Sequence, residues 1–465
     1  MSVPISRVVL RMETVVPVHP GLPLVGNTLA VARDPLGMFT RLQRQYGRVV
    51  RISIGGRNQY MVFQPEDVKH VMQENHRNYG RSPAFRVLKR FLGEGLLTSD
   101  GDFWRQQRRL AQPAFHRQKI TVLAATMVQE SAAWVAELRQ RDHSGPVNIS
   151  QALMDVTMRI VCKTLFSTDA GRKLDGLSHS LETLNVLANK SLLSPVKWPS
   201  SWPTPNNRRF NKARKLVDEL IYEFIATRKR TGARHDDLLD MLMYAEDEDT
   251  GGRMPETQLR DECVTLFTAG HETTAVSMAW TLYLLAQHPD ILTKLQVEVA
   301  TVLGTVTAEK EALPPVEAFR AMPYTMQVVQ ESMRLYPPAW AMSRMALADD
   351  HIGPYRIPKG DTVVVSPYLL HHDPANWPDP ERFDPERFAP GADAGRPAYA
   401  YLPFGGGPRL CIGNQFALME MQIMLALLVQ SFAIGAVAGK PIKPQPLITL
   451  RPSRPVWVQL TPRST

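Results

Sequence analysis

The chain has 465 residues, 44% of them hydrophobic, enough to bury a large core, and no Gly/Ser linker, low-complexity tract or charge block divides it. Its net charge of +9 comes from dispersed lysines and arginines without aromatic interleaving, which excludes nucleic acid as a natural partner. The three cysteines, Cys162, Cys263 and Cys411, exclude a disulfide framework and fit a reducing compartment.

Residues 1–19 carry Arg7, Arg11 and Glu13 and are broken by Pro4 and Pro17. They match neither a signal peptide nor a membrane anchor, and read as a flexible extension before a single domain over 20–465. After Pro20-Gly21-Leu22-Pro23, helical spacing runs through Phe39, Leu42 and Tyr46. Val49 to Ile54 and Tyr60 to Phe63 alternate across Gly55-Gly56, a hairpin signal. Pro65 opens a helix at its first position. From about 100 to 350 the periodicity predicts helices over 102–112, 119–139, 149–167, 176–190, 207–229, 236–245, 257–287, 290–302 and 323–335. After Pro337-Pro338, short strands are expected over 355–357 and 362–365, a helix over 414–431, and closing strands near 447–450 and 455–460. The apolar stretch from Met421 to Val437 is interrupted by Gln422, Gln430 and Ser431, so it reads as a buried helix and not a membrane span. The expected architecture is one mainly-α domain with small β-sheets, soluble, monomeric and cytoplasmic.

The run Phe404-Gly405-Gly406-Gly407-Pro408-Arg409-Leu410-Cys411-Ile412-Gly413 sets one cysteine between a glycine-rich loop and an apolar helix. A helix N-terminus stabilises a thiolate, which is a good metal ligand. The glycines permit positive φ and close approach of the backbone to a flat cofactor. Arg409 suits an acidic edge of such a cofactor. Cys162 and Cys263, in apolar helical contexts, read as inert core residues.

The helix over 257–287 contains a polar defect, Ala269-Gly270-His271-Glu272-Thr273-Thr274. A mid-helix glycine costs about 1 kcal/mol relative to alanine. Paired threonines can bond backward to helix carbonyls, and a buried unpaired acid is expensive. Glu331 and Arg334 share a helical face, as do Trp104 and Arg108.

These segments resemble the motifs of cytochrome P450. The cysteine run is similar to its heme loop, F-x-x-G-x-R-x-C-x-G, at Phe404, Gly407, Arg409, Cys411 and Gly413. Ala269 to Thr273 resembles A-G-x-[DE]-T, and Glu331 with Arg334, followed by Pro385-Glu386-Arg387-Phe388, resembles E-x-x-R with P-E-R-F. Trp104 and Arg108 resemble W-x-x-x-R. The resemblance covers nearly the whole chain and implies the cytochrome P450 fold with heme b (iron protoporphyrin IX), Cys411 being the axial iron ligand. It implies cofactor contacts from Trp104, Arg108, Ala269, Gly270, Arg344, Phe404, Gly405, Arg409 and Gly413, with Trp104, Arg108 and Arg344 on the propionates. Gly270 would open a groove over the iron, Thr273 and Glu272 would deliver protons, and Glu272 would be fed from solvent. His271 is the variable position and no ligand. Glu331, Arg334 and Arg387 would form a buried charge network locking the cofactor loop. Phe85, Leu88, Ala269, Ala339, Trp340 and Ile448 would line an apolar pocket, Trp340 narrowing the space over the heme.

The implied activity is that of a heme-thiolate monooxygenase inserting one oxygen atom from O2 into a lipophilic fatty acid, terpenoid, steroid or macrolide-like molecule. Electrons would come from a separate ferredoxin or flavodoxin with an NAD(P)H reductase, docked around Arg409, Arg105 and Arg109. Arg86, Lys89 and Arg90 read as a solvated face or as receivers of a substrate carboxylate. The alternatives are a peroxygenase or isomerase that needs no reductase, and a non-catalytic binder. Relatives that rearrange peroxides tend to lack the acid–alcohol pair, which is present here.

Overall fold

The computed structural model describes residues 14–168, 172–193, 199–304, 313–439 and 441–463. Among the described residues, nine helices frame the site: α1 (Phe85–Leu92), α2 (Gly101–Ala111), α3 (Arg117–Arg139), α4 (Ile149–Phe166), α5 (Arg172–Leu193), α6 (Pro205–Thr231), α7 (Glu256–Gln287), α8 (Pro323–Leu335) and α9 (Asn414–Ser431). Proline begins α6 and α8, where its missing N–H is no loss. α7 is the central rod. It packs against α4, α8 and α9, and their apolar faces merge into the main core. α9 is buried from Glu420 to Val429 without a break, as its nearly uniform apolar sequence requires.

The larger sheet uses β1 (Val49–Ile54), β2 (Arg57–Val62), β3 (Tyr79–Arg81), β4 (Met342–Ala346) and β5 (Thr362–Val365) in the order β1-β2-β5-β4-β3. Only the β2–β5 pairing in it is parallel. A second small core fills the space between this sheet and the helix Pro35–Tyr46. Near the C-terminus, Pro444–Pro446 pairs with β6 (Leu450–Pro452). The strand expected near 447–450 is instead mostly the turn between these two, closed by Leu447 N–H donating to the Gln445 and Thr449 carbonyls.

Of the extension expected over 1–19, positions 1–13 lie outside the described residues. Residues 14–19 run along the sheet: the Arg51 N–H donates to the Pro17 carbonyl at 2.8 Å and the His19 N–H to the Arg51 carbonyl at 2.9 Å. Among the described residues no helix is long and apolar enough to cross a membrane. Cys162 and Cys263 are fully buried, and burial pushes both thiols up, which makes them inert.

Candidate functional site

The loop before α9 is closed by its own backbone. The Cys411 N–H donates to the Phe404 carbonyl at 3.0 Å, and the Leu410 N–H to the Gly407 carbonyl at 3.0 Å. Gly405 and Gly407 are left-handed, with φ of 74° and 65°. A Cβ at Gly407 would stand 1.9 Å from the Met72 carbonyl, and one at Gly406 2.6 Å from the Tyr399 ring. At these two glycines the close approach expected toward a cofactor is therefore an approach to the protein's own loop support. Gly413 has φ −92° and room for a Cβ, so neither its conformation nor its space requires glycine. Phe404 packs, half-buried, on the main core.

Cys411 is exposed at its surface although it lies deep among protein atoms. Burial pushes its thiol up, and the Gly413 N–H and Arg108 charge pull it down without winning. The helix terminus alone therefore does not make the thiolate; a coordinated metal ion would.

Three guanidiniums gather at one edge of this loop. Arg81 on β3 is in register with Arg344 on β4, and Arg409 sits beside them. Burial and mutual repulsion lower Arg81 and Arg344, the latter to about 10, and burial lowers Arg409. Among the described residues Asp100 is the one carboxylate that reaches the cluster, accepting from the Arg81 N–H and from Arg409. The Arg81 Nε has no partner among the described residues. Arg409 lies over the Trp104 ring at 4.1 Å. Two positive charges remain uncompensated, and iron protoporphyrin IX carries two carboxylates, so this donor set fits it. Arg81 was not foreseen from sequence. Arg108, expected beside a propionate, instead donates to the Leu410 carbonyl at 2.9 Å and faces Cys411. Trp104 is buried and meets the cluster through its ring face against Arg409.

On α7, Ala269 is exposed in mid-helix and Thr273, one turn on, is half-buried. The Thr273 hydroxyl donates to the Ala269 carbonyl at 2.6 Å, the backward bond the sequence suggests. Gly270 points elsewhere: a Cβ there would meet Val161 of α4 at 3.1 Å. Glycine at 270 thus permits α7 and α4 to pack closely. The His271 ring meets the Met154 carbonyl at 3.0 Å, and burial lowers it to about 4, so it is neutral. Glu272 is buried among Asn185 (2.6 Å), Arg451 (2.8 Å) and Thr449. Burial pushes its carboxyl up, but the Arg451 hydrogen bond and charge overcome this and hold it below its ordinary value. Beside it lies a void of about 10 Å³ lined by exposed Glu182, by Asn185 and by Thr268, whose buried hydroxyl has no partner among the described residues. That is room for one water.

Glu331 and Arg334 of α8 are fully buried and bonded bidentately at 2.7 and 2.8 Å. Arg334 also donates to the carbonyls of His371, Pro380 and Arg382. Arg387 stands 3.4 Å from Glu331 as an ion pair. Sequence reasoning missed His371: its Nδ1 meets the Arg334 carbonyl at 3.1 Å and its Nε2 accepts from the Leu402 N–H at 2.8 Å, linking the charge network to the start of the cysteine loop.

The expected pocket residues are divided. Leu88 and Ile448 pack, half-buried, on the main core, and Ala339 is exposed. Phe85 lines a cleft of about 570 Å³. Trp340 does not narrow the space beside α7. Its indole donates to the Leu447 carbonyl at 2.8 Å and stacks on Phe39, in the small core under the sheet. The Arg86, Lys89 and Arg90 trio is dispersed: Lys89 pairs with Glu94, and Arg90 lies over Phe210. The docking cations are likewise engaged, Arg105 with Asp102, and Arg109 with Asp247 and Asp249.

Comparison with known proteins identifies the family. A family model described as Cytochrome P450 matches residues 16–458. The chain is 35% identical to cyclooctatin synthase of Streptomyces melanosporofaciens, over 92% of each chain. It is 34% identical to cyclooctat-9-en-7-ol 5-monooxygenase of the same organism, over 90% of this chain and 89% of that one. It is 31% identical to pentalenene oxygenase of Streptomyces avermitilis, over 95% and 96%. The chain belongs to the cytochrome P450 family: it is a heme b oxidoreductase that incorporates oxygen from O2 into a lipophilic substrate.

Proposed function

We propose that the chain, as one heme domain, hydroxylates a terpenoid. The observation that carries this reading is the similarity, over nine-tenths of their length, to relatives named for cyclooctatin and pentalenene. Heme, when bound, supplies oxygen activation at an iron held by the Cys411 thiolate.

The chain's own residues bind, orient and move protons. Arg81, Arg344 and Arg409 hold the two propionates, and the Trp104 ring keeps the Arg409 guanidinium in place. Glu331, Arg334 and His371 fix the loop that presents Cys411. Glu272 takes up protons on the side of α7 that faces Asn185 and Glu182. Thr273, its neighbour, presents a hydroxyl on the Ala269 face. Among the described residues no hydrogen bond joins the two side chains, so a proton crossing α7 between them would travel by way of a water. Phe85, on the lining of the cleft of about 570 Å³, contributes apolar surface for the substrate.

Electrons come from a separate ferredoxin or flavodoxin with an NAD(P)H reductase, in the cytoplasm, to a monomeric enzyme. An acidic partner competes with Asp102, Asp247 and Asp249 for Arg105 and Arg109.

The test is turnover with ferredoxin, its reductase, NADPH and isotopically labelled dioxygen, offering polycyclic terpene hydrocarbons and terpene alcohols beside fatty acids, steroids and macrolides. Labelled hydroxyl in a terpenoid is expected. Turnover of another class alone overturns the substrate reading. Product from peroxide alone, with Thr273→Ala unaffected, would favour the peroxygenase.

A further inference from the structure

α1 is held very differently at its two ends. Its first residues, Phe85 to Lys89, are half-buried or exposed. At its far end, Phe91 and Leu92 enter the core, and the loop beyond them is bound to the first turns of α7. Four residues of α7 make that bond. Arg260 donates to the Phe91 carbonyl at 2.9 Å, and Gln258 to the Glu94 carbonyl at 3.2 Å. Asp261 accepts from the Glu94 N–H at 2.7 Å, and Glu262, wholly buried, from the Leu96 N–H at 3.0 Å. Hydrogen bonds to carboxylates of this kind are among the strong ones.

The fit leaves no slack. Gly93 is left-handed (φ 66°), and a Cβ on it would stand 2.1 Å from the Asp261 carboxylate. A Cβ on Gly95 would stand 2.1 Å from the Thr265 hydroxyl. Thr98 donates back to the Gly93 carbonyl at 2.6 Å.

The clamped loop and α1 together wall the cleft of about 570 Å³. Its lining includes Phe85 and Arg86 from α1, Glu94 and Thr98 from the loop, and Arg81 and Asp100 from the arginine cluster. The cleft therefore runs from the rim of α1 to the edge where the cofactor's carboxylates are assigned. Resting on that assignment, we infer that Asp261 and Glu262 are positioning residues that hold α1 down over this cleft and so decide how bulky a molecule reaches the heme. They touch neither cofactor nor substrate. They act by fixing the far end of the cover, which leaves the Phe85 end to yield.

The experiment uses the heme-loaded full chain with Asp261→Asn and Glu262→Gln, singly and together. Backbone hydrogen exchange is followed across residues 93–97, with α9 as internal reference. Stopped-flow association of imidazole is compared with that of a triphenylmethyl imidazole, both read at the Soret band. The expected result is exchange several-fold faster at 93–97 with α9 unchanged. The bulky ligand should also bind several-fold faster while imidazole is unaffected. Unchanged exchange overturns the inference, and so does faster exchange that leaves both ligands alike. Should the double variant loosen α9 as well, the single variants decide. If imidazole fails to shift the Soret band of the unaltered enzyme, the heme reading is what fails, and the exchange measurement still decides the clamp.

Discussion

Arg81 on β3 and Arg344 on β4 stand directly opposite one another in the sheet, like charge against like charge. Such pairs destabilise a sheet by a few tenths to about 1 kcal/mol. The opposition is useful only when anionic groups lie between the guanidiniums. Arg81→Ala is therefore expected to act in opposite directions on two forms of the protein. The heme-free form should gain up to about 1 kcal/mol in urea unfolding. The loaded form should lose heme to an acceptor globin several-fold faster than the unaltered enzyme. A variant that weakens both forms alike would remove Arg81 from the propionate set.

The Glu331–Arg334 pair is fully buried, and Arg334 serves three further carbonyls. Truncation at 334 strands a carboxylate and those carbonyls together. Arg334→Ala should cost about 3–5 kcal/mol and give mostly heme-free protein. Arg334→Lys should rescue little, because a point charge cannot replace the planar fork. Arg387→Ala should be milder, since its contact with Glu331 is a 3.4 Å ion pair whose Nε makes no hydrogen bond among the described residues. Equilibrium unfolding and heme occupancy rank the three.

The long helices were legible because their signals are local. Proline opens α8 at Pro323, and the expected and observed spans coincide. The run after the cysteine loop gives α9 at its observed bounds as well. Arg81 was not legible, because its meaning depends on the register that sets it opposite Arg344. Trp340 was misread for a related reason: an aromatic beside Pro338 does not announce which core it enters. At Gly270 the motif named a cofactor role, whereas the face of the helix, closed against Val161, decides that glycine's contact. His371 carried no motif, and only its two backbone partners reveal it.

Glu272 offers a pH test. Burial alone would push its carboxyl up, and Arg451 is the main group holding it down. Arg451→Met removes that hold, so the Glu272 pKa should rise. If deprotonated Glu272 is the working resting form, the acid limb of the turnover profile then moves to higher pH. Thr273→Ala, in contrast, should leave the position of that limb alone while product per NADPH falls, by as much as about 10²-fold. An unmoved acid limb in Arg451→Met would show that Glu272 does not govern it.

Glu420 of α9 is the buried acid for which the proposed chemistry has no use. Burial pushes it up to about 8, and its single described partner is the Thr274 hydroxyl of α7, at 3.2 Å. Its Oε1 has no partner among the described residues. The folded protein thus holds a proton here more tightly than the unfolded chain, whose carboxyl titrates near 4.5. Its contribution to stability is fully present below that value and is lost as pH rises toward 8. Where Glu420 alone titrates, the loss is about 1.4 kcal/mol per pH unit. Glu262, raised to about 7 by burial, adds loss of the same sign over the lower part of that window. Glu420→Gln keeps the size of the side chain and removes the titration. Its stability should fall less steeply between pH 5 and 8, and at pH 8 it should exceed that of the unaltered protein. Parallel unfolding curves across that range would mean that Glu420 is already ionised in the folded state, and that α7 and α9 are joined by a charged rather than a neutral bond.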